Sequence, residues 1–393
     1  MTFHVGIIDN DPIRLITPLL DSRTQSGHIL FIGDETQHTL YHRLAKVLSS
    51  RDITSEYFEI PSDSTTTGLK NAVNQLAIDL CNRGEEVQLN ASCGVRHRLL
   101  TVYEIFRSQE WPIFVVEANS DKLCWLYPND APDHQVQDNI TINDYLTIFG
   151  ARGEFNQVEL PPILDKQLYD LGQRWASNAL ELGPGLATLN YLATTCRKEQ
   201  RLDVELSEKQ QGYRELNMLL TDLVDIGIAK YDNGILTFAN EEARRFSNGE
   251  WLETLVHSTV RQIQQDLPTI QDRSLNVQVY RNIGEKEVRN ELDVATVVNN
   301  KLHIIECKTK GMRDDGDDTL YKLESLRDLL GGLQARAMLV SFRPLRHNDI
   351  TRAADLGLAI IGPDELKDLK SYLTIWFKEA GGEESTLDDN LAC

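Results

Sequence analysis

The chain has 393 residues, of which 60 are acidic and 40 are Lys or Arg, so its formal net charge at pH 7 is −20. That charge repels nucleic acid at long range, so a polyanionic partner would need a local basic surface or metal ions. No apolar run reaches the roughly 18 residues of a membrane span, and no leader pattern precedes the first strand-like run, so we expect a cytoplasmic protein without membrane contact. Six scattered cysteines without a CxxC pair predict reduced thiols rather than disulfides or structural zinc.

The length predicts two domains of common size with a small third element between them. Up to about Gly150, short apolar strands alternate with helical patterns. The strands are predicted at HVGIID, ILFIG, EYFEI, EVQLNAS, PIFVVEA and KLCWLYP, and helices from about Thr36, Leu69 and Gly94. This alternation indicates βαβ units and a parallel, Rossmann-like sheet. The stretch DNDPIRLITPLL is predicted as the first loop.

Between Leu160 and Trp251, helical patterns precede GIAKYDNGILTFAN, where Asp232-Asn233-Gly234 predicts a tight hairpin. A winged-helix-like module and a plain connector both fit this pattern, and we favour the connector. The remainder predicts an α/β domain with a mixed sheet. Its elements are a helix to about Gln265, strand LNVQVYR, a charged loop NIGEKEVRN, a hairpin, a helix over 319–330, strand ARAMLVSF, a helix, strand LAIIG and a helix from Pro363.

The stretch ELDVATVVNNKLHIIECK predicts a β-hairpin with an unusual polar face. A two-residue turn at Asn299-Asn300 tolerates the positive φ angles that such turns require. Counting outward from that turn places Asp293 opposite Glu306, and Glu291 opposite Lys308. Because side chains alternate along a strand, all four polar groups would project from one face.

Two carboxylates directly opposite each other repel at a cross-strand distance of about 5 Å, so solvent, protonation or a cation must compensate. Carboxylate oxygens within an apolar hairpin suit Mg²⁺ or Mn²⁺. A lysine beside such an ion can orient or deprotonate an attacking water, which points to phosphodiester hydrolysis. The alternative is a solvated face on which Glu291 and Lys308 form a simple cross-strand pair.

ELD followed by IIECK resembles the signature of PD-(D/E)XK nucleases, although Leu292 stands where the family name has proline. The resemblance implies Asp293, Glu306 and Lys308 as catalytic residues, with Glu291 as a further candidate. It also implies that Glu253, in NGEWLETLVH, completes a metal site formed by Glu253, Asp293 and Glu306. An exposed helix carboxylate is the alternative for Glu253.

Two further features of this half have simpler explanations. Tyr321 and Lys322 could contact a substrate phosphate, but we favour ordinary surface positions for them. RDDGDD from Arg313 lacks the ligand spacing of a calcium-binding loop, and we interpret it as a solvated loop.

The stretch VQLNASCGVRHRLL predicts a strand, a polar turn and a helix whose first turn carries Arg96. At the carboxyl end of a parallel strand, helix N-termini offer free N–H groups to anions. The alternative is an ordinary strand-to-helix turn with Ser92 as N-cap.

LNASCGVR resembles the N-x-[ST]-G-G-T-K turn of CARF domains, the cyclic oligoadenylate sensors of type III CRISPR immunity. Cys93 and Val95 depart from that pattern, and Arg96 replaces its lysine. The resemblance implies that ligand-binding residues lie in this turn and in the loops after the first two strands, where turn formation is the alternative for Asn10, Asp11, Gly33 and Asp34. The candidates are Asn10, Asp11, Thr17, Gly33, Asn90, Ser92, Cys93, Gly94, Val95 and Arg96, and Asp34 lies beside them.

The two resemblances together are those of the cyclic tetra-adenylate-activated CARF nucleases, which are homodimers with the ligand on their two-fold axis. They imply a CARF domain over 1–155, a helical or winged connector over 156–248, a restriction-endonuclease-like α/β domain over 249–380 and a disordered tail over 381–393. The expected function is cleavage of RNA or DNA with Mn²⁺ or Mg²⁺, gated by cyclic oligoadenylate. The alternatives are a nucleotide-sensing DNA-binding regulator with a non-catalytic nuclease-like domain and an enzyme that degrades its own cyclic ligand.

Overall fold

The computed structural model of the protein describes residues 2–24, 26–61, 65–155, 161–311 and 316–381. The predicted tail beyond Gly381 and the part of RDDGDD up to Asp315 lie outside these residues. None of the helices in the described ranges combines the length and the apolar character that crossing a membrane requires.

The described chain forms sixteen β-strands and fourteen α-helices. The strands are β1 (Thr2–Ile7), β2 (Ser26–Gly33), β3 (Thr54–Glu59), β4 (Glu86–Asn90), β5 (Ile113–Val116), β6 (Lys122–Tyr127), β7 (His134–Gln135), β8 (Ala151–Phe155), β9 (Asp203–Glu205), β10 (Ala229–Asp232), β11 (Ile235–Phe238), β12 (Ile270–Ile283), β13 (Lys286–Val298), β14 (Lys301–Lys308), β15 (Arg336–Ser341) and β16 (Ala359–Ile361). The helices are α1 (Ile13–Leu20), α2 (His38–Ser49), α3 (Thr66–Arg83), α4 (Arg96–Ser108), α5 (Ile142–Ile148), α6 (Pro162–Ser177), α7 (Ala179–Lys198), α8 (Glu208–Gln211), α9 (Arg214–Asp225), α10 (Glu241–Arg245), α11 (Trp251–Asp266), α12 (Gly316–Gly331), α13 (His347–Asp355) and α14 (Leu369–Glu379).

The first sheet has the order β3-β2-β1-β4-β5-β6-β7. Strands β1 to β5 run parallel, and β6 and β7 add an antiparallel edge. The predicted Rossmann-like domain is therefore confirmed. Part of the predicted first loop is wrong, because Ile13–Leu20 forms helix α1, which buries Leu15 and Ile16 against the sheet.

The middle of the chain packs against the C-terminal domain in one shared core. Trp175 of α6 meets Trp251 of α11 edge to face, with 5.4 Å between ring centroids. A small sheet of order β10-β11-β9 stands beside α9, as in a winged helix. Its predicted turn is present, with φ of 48° at Asn233 and 78° at Gly234.

The third sheet has the order β16-β15-β14-β13-β12-β8. It is mixed, as predicted, since β14, β15 and β16 run parallel while β8, β12, β13 and β14 are antiparallel. Strand β8 joins this sheet although it precedes the predicted boundary at residue 155. The predicted loop NIGEKEVRN is wrong, because β12 and β13 continue as a ribbon to a turn at Gly284, whose φ is 62°.

The turn of the β13–β14 hairpin lies against the N-terminal domain. Tyr145 Oη donates a 2.5 Å hydrogen bond to the carbonyl of Asn300. Lys301 Nζ donates to the carbonyl of Asn119 at 2.6 Å and to that of Ala380 at 2.5 Å. Beside these contacts is a cleft of about 610 Å³ that includes Arg14 from the N-terminal domain. The hairpin thus joins the two domains at its turn.

Candidate functional site

The β13–β14 hairpin has the predicted turn and register. Asn299 and Asn300 have φ of 47° and 54°, the values that a two-residue hairpin turn requires. Val298 pairs with Lys301, and the pairing continues in register to Val294 and Ile305. Local turn chemistry is therefore sufficient to fix this register.

The ladder ends before the predicted pair of Asp293 and Glu306. The Cys307 N–H donates instead to Asp293 Oδ2 at 2.7 Å, while Glu306 pairs along β15 with Leu339. The predicted cross-strand pairs of Asp293 with Glu306 and of Glu291 with Lys308 are therefore absent from the described ladder. Beyond Ile305, β14 is paired with β15 alone, as far as Lys308.

Side-chain alternation also breaks at Asp293, contrary to the assumption of one uninterrupted polar face. Leu292 and Val294 are two residues apart, yet they pack into different hydrophobic cores. On the neighbouring strand, Asn276 has a φ of 53° at the matching position. This irregularity directs the Asp293 carboxylate toward the backbone of β14.

Glu306, Asp293 and Lys308 form an electrostatically coupled group. Glu306 is 7% exposed and accepts a hydrogen bond from Lys308 Nζ. Burial, followed by the charge of Glu306, raises the pKa of Asp293 to about 7. Burial alone would lower the pKa of Lys308. The negative charges of Glu306 and Asp293 have the larger combined effect and raise this pKa above the usual value for lysine. The lysine is therefore protonated beside two buried carboxyl groups.

Helix α11 and the turn before it bring further carboxyl groups to this place. Burial, followed by the charges of Asp293, Glu250, Glu291 and Glu306, raises the pKa of Glu253 to about 9. Burial likewise raises the pKa of Glu250. Glu253 therefore lies within electrostatic range of the hairpin carboxylates, and Glu291 is the exposed member of the group.

Glu250 was missed from the sequence. It ends a π-helical turn, Phe246–Glu250, in which Gly249 has a φ of 125°. A Cβ at Gly249 would lie 2.5 Å from Thr309 Oγ1, so this glycine lets the turn approach the end of β14. The Asn-Gly-Glu triplet before Trp251 was the available signal, because glycine inside a helical pattern indicates a close approach or a kink.

Within the described ranges, no three His, Cys, Asp or Glu side chains converge closely enough to form a metal site. The carboxyl groups around Lys308 are electrostatic neighbours whose oxygens do not meet at one point. Their chemistry is still that of a hard-cation site, since carboxylate oxygens are the ligands that Mg²⁺ and Mn²⁺ prefer.

At the N-terminal domain, the turn after β4 is held by side-chain hydrogen bonds. Asn90 Oδ1 accepts from the Ser92 N–H at 3.0 Å, and Asn90 Nδ2 donates to the Arg14 carbonyl at 2.8 Å. Ser92 Oγ accepts from the Val116 N–H at 2.7 Å, and the buried Cys93 thiol donates to the Asp11 carbonyl at 3.0 Å. The turn after β4 and the segment after β1 are therefore one unit.

Asp9 was missed from the sequence, although it belongs to this unit. Its Oδ2 accepts from the Gly94 N–H at 2.6 Å, and Gly94 has a φ of 121°. The alternative with Ser92 as N-cap is wrong, because α4 starts after Val95 and has no side-chain cap. The first turn of α4 thus carries exposed Arg96 next to uncapped N–H groups, an arrangement that suits an anion.

The remaining candidates occupy different environments around this turn. Asn10 is exposed, whereas Asp11 and Thr17 are buried, the latter on α1. Asp34 caps a short helical turn after β2 and pairs with Arg98 at 2.8 Å. Gly33 contacts Tyr57, whose hydroxyl would lie 2.4 Å from an added Cβ.

Comparison with known proteins identifies the relatives of this chain. Residues 240–380 match the family model of the Card1-like endonuclease domain. The crystal structure of protein VC1899 from Vibrio cholerae is 77% identical, with a TM-score of 0.94 over 97% of this chain and 99% of that chain. No curated protein sequence gives a significant match.

The chain belongs to the same family as protein VC1899 and carries a Card1-like endonuclease domain over residues 240–380.

Two further solved structures share the fold of this chain at lower identity. Can2 from Sulfobacillus thermosulfidooxidans, in complex with cyclic tetra-adenylate, is 20% identical, with a TM-score of 0.77 over 96% of this chain and 99% of that chain. A type III CRISPR defence DNA nuclease activated by cyclic oligoadenylate is 12% identical, with a TM-score of 0.56 over 94% of this chain and 51% of that chain. Both support the predicted two-domain architecture.

Two groups of predicted residues come together at different places in the fold. Glu253, Glu291, Asp293, Glu306 and Lys308 lie at the far end of the β13–β14 hairpin from its turn. The ligand candidates lie around the turn after β4. Tyr321 and Lys322 belong to neither group: Arg352 covers the Tyr321 ring, and Lys322 lines a groove with Arg281.

Proposed function

We propose that this protein is a metal-dependent endonuclease that cyclic oligoadenylate, specifically cyclic tetra-adenylate, activates through the CARF domain. The observation that carries the proposal is the protonated Lys308 held between Glu306 and Asp293 on a hairpin whose turn is bonded to the CARF domain. A surface ion pair would not need two buried acids beside one lysine, because burying like charges together is costly.

A divalent cation fits the donor set of this site. Glu253, Asp293 and Glu306 would hold Mn²⁺ or Mg²⁺ through carboxylate oxygens. Burial first, and then the repulsion between these carboxylates, raises the pKa values of Glu253 and Asp293, and a cation among them would offset both effects. When bound, the metal would polarise the scissile phosphoryl group.

Lys308 and Glu291 act beside this site. The Lys308 ammonium is held by Glu306, which positions it to orient the attacking water or to offset charge that develops on the phosphoryl oxygens. Glu291 is exposed at the edge of the group, where it can accept a proton from the incoming water.

The proposed activator site is the turn after β4. The positive φ of Gly94 and the uncapped start of α4 present backbone N–H groups, and exposed Arg96 adds a cation for a phosphate. The complex of Can2 with cyclic tetra-adenylate supports this ligand class. A cyclic ligand with two-fold symmetry would lie between the CARF domains of a homodimer.

The test is cleavage of labelled single-stranded RNA, single-stranded DNA and supercoiled plasmid with Mn²⁺ or Mg²⁺, with and without cyclic tetra-adenylate. Cleavage of one substrate only when metal and ligand are both present supports the proposal and names the substrate. No cleavage of any substrate under any condition would refute it and favour a nucleotide-sensing regulator.

A further inference from the structure

The carboxyl ends of β14 and β15 lie side by side, immediately beyond the carboxylate group. The Phe342 N–H donates to the Lys308 carbonyl at 2.8 Å where both strands end. In open α/β sheets, ligands bind outside the carboxyl ends of parallel strands. This edge of the nuclease sheet is therefore where a strand of substrate would approach.

Helix α7, from the middle of the chain, crosses this edge. A Cβ at Gly183 would lie 2.6 Å from Arg343 Nη1, just after β15. Asn190 Nδ2 donates to Thr309 Oγ1 at 3.4 Å, just after β14. Because these contacts are seven residues apart on α7, one face of the helix covers the ends of both strands.

The same face of α7 continues with Thr194 and Arg197. Thr194 Oγ1 donates to Asn248 Oδ1 at 3.0 Å, in the π-helical turn that ends at Glu250. Arg197 follows three residues later and is exposed. The face therefore runs from the strand ends, past the turn that supplies Glu250, to an exposed guanidinium.

Positive charges concentrate here in a chain that is strongly acidic overall. Lys310 is exposed two residues beyond Lys308, and burial, then the charges of Arg197 and Lys308, lowers its pKa. Neither Arg197 nor Lys310 forms an ion pair with any carboxylate of the described residues. Glu241, the acid within electrostatic range of Arg197, is bound to Arg244 at 2.6 Å. Two cationic side chains that lie close together without acidic partners favour the binding of a polyanion.

We propose that Arg197 and Lys310, beside the strand ends that α7 covers, form a phosphate-binding wall that positions the nucleic-acid strand against the carboxylate group. The middle of the chain is then part of the nuclease groove. This inference rests on the proposed function only in taking a nucleic-acid strand as the ligand. Arg197 and Lys310 are positioning residues, since they contact the backbone away from the scissile phosphate.

The test measures binding without cleavage, in the full-length Lys308→Ala protein. Fluorescence anisotropy with a labelled single-stranded DNA and a labelled single-stranded RNA, with cyclic tetra-adenylate present, gives Kd across a series of salt concentrations. Adding Arg197→Ala and Lys310→Ala is expected to weaken binding about tenfold or more and to reduce the salt slope by about 1.4, the value for two phosphate contacts on a single strand. The charge-conserving pair Arg197→Lys with Lys310→Arg should keep the salt slope of the Lys308→Ala parent. Equal thermal melting temperatures of the parent and the variants would exclude unfolding as the cause of weaker binding.

Lys209→Ala with Lys230→Ala is the matched control, because both lysines are exposed in the middle of the chain but lie away from α7. This pair is expected to leave Kd and salt slope unchanged. The inference is overturned if the Lys308→Ala protein binds neither strand, if the Arg197 and Lys310 changes leave the slope unchanged, or if the control pair has the larger effect. If the wild-type protein cleaves none of the substrates under any condition, but binding in the Lys308→Ala protein still depends on Arg197 and Lys310, the proposed function is refuted and this inference stands.

Discussion

Asn300 Nδ2 donates a 2.5 Å hydrogen bond to the Asp121 carboxylate and so joins the turn of the β13–β14 hairpin to the CARF domain. Both residues are almost fully buried, at 2% and 4% exposed. The loop before β6 that carries Asp121 also supplies Asn119, whose carbonyl accepts from Lys301. Arg14 lies on α1, directly after the segment that follows β1, and its Nη1 donates to the Val116 carbonyl at 3.3 Å. A structural shift at the proposed activator site, the turn after β4, can therefore reach the hairpin through packed and hydrogen-bonded groups.

We expect Asn300→Gly to weaken this connection without straining the turn, since glycine accepts the φ of 54°. Loss of the buried amide should lower the free energy of unfolding by about 1–3 kcal/mol, because Asp121 loses a hydrogen-bond donor. It should also lower the stimulation of cleavage by cyclic tetra-adenylate. Denaturant unfolding and cleavage rates with and without ligand measure the two effects.

Asn233→Gly is the control for that change, because Asn233 has a φ of 48° in an exposed hairpin turn. It should leave both stability and ligand stimulation nearly unchanged. Equal effects of the two substitutions would contradict a coupling role for Asn300.

Asp121 predicts a pH dependence of stability. Burial raises its pKa to about 7 from an ordinary value of 3.8. Because the folded state holds this proton more tightly than the unfolded state, stability is highest below about pH 4 with respect to this group and falls as pH rises to about 7. Asp121→Asn removes the titration and keeps an acceptor for Asn300. We would measure the free energy of unfolding of both proteins at a series of pH values. From about pH 4 to pH 7, the free energy of unfolding of the variant should rise relative to that of wild type by a few kcal/mol. A constant gap would contradict this assignment.

The hairpin shows what sequence could and could not predict. The Asn299-Asn300 turn and the pairing up to Val294 follow from local chemistry, and both were predicted. The separation of the strands at Asp293 was not, because it depends on β14 pairing with β15, which lies almost thirty residues further along the chain. Glu253 could be named only from the family resemblance, since no local pattern links α11 to the hairpin.

Arg96 is expected to contribute to activator binding. Arg96→Ala removes the exposed cation at the start of α4 and should weaken binding of cyclic tetra-adenylate about tenfold or more, the loss expected for one charge-assisted phosphate contact. Arg107→Ala is the control at the opposite end of the same helix, where Arg107 covers the Tyr127 ring at 3.7 Å. Isothermal titration calorimetry distinguishes the two. Equal affinities of the two variants for cyclic tetra-adenylate would contradict the proposed activator site at the turn after β4.

Divalent metal is expected to stabilise the protein through the carboxylate group. Mn²⁺ at 100 times its Kd should add about 2.7 kcal/mol to the free energy of unfolding, and EDTA should remove the gain. Glu306→Gln should abolish most of this gain, because it removes a buried carboxylate charge from the group. Glu324→Gln, on α12, is the control and should retain it. Thermal melting of wild type and both variants, each with Mn²⁺ and with EDTA, tests this. A full gain in stability in Glu306→Gln would place the metal elsewhere.

The proposed activator site, the turn after β4, was predicted only in part. The sequence placed Asn90, Ser92 and Gly94 in one turn, and the structure has that turn. It gave no sign that Ser92 binds Val116 or that Asp9 binds Gly94, because these partners come from distant strands that only the folded sheet brings together. The first loop was predicted over the residues of α1, a helix that begins after Pro12 and contains Pro18, because two prolines so close together are typical of a loop.

The central claim is that ligand binding at the CARF domain activates chemistry at Lys308. The most direct measurement compares single-turnover cleavage by wild type and Lys308→Ala with Mn²⁺, each with and without cyclic tetra-adenylate, after calorimetry has shown that both bind the ligand. The account predicts cleavage by wild type only with ligand, and a loss of about a hundredfold or more in Lys308→Ala although its ligand affinity is unchanged. Cleavage that persists in Lys308→Ala, or that proceeds equally without ligand, would contradict it.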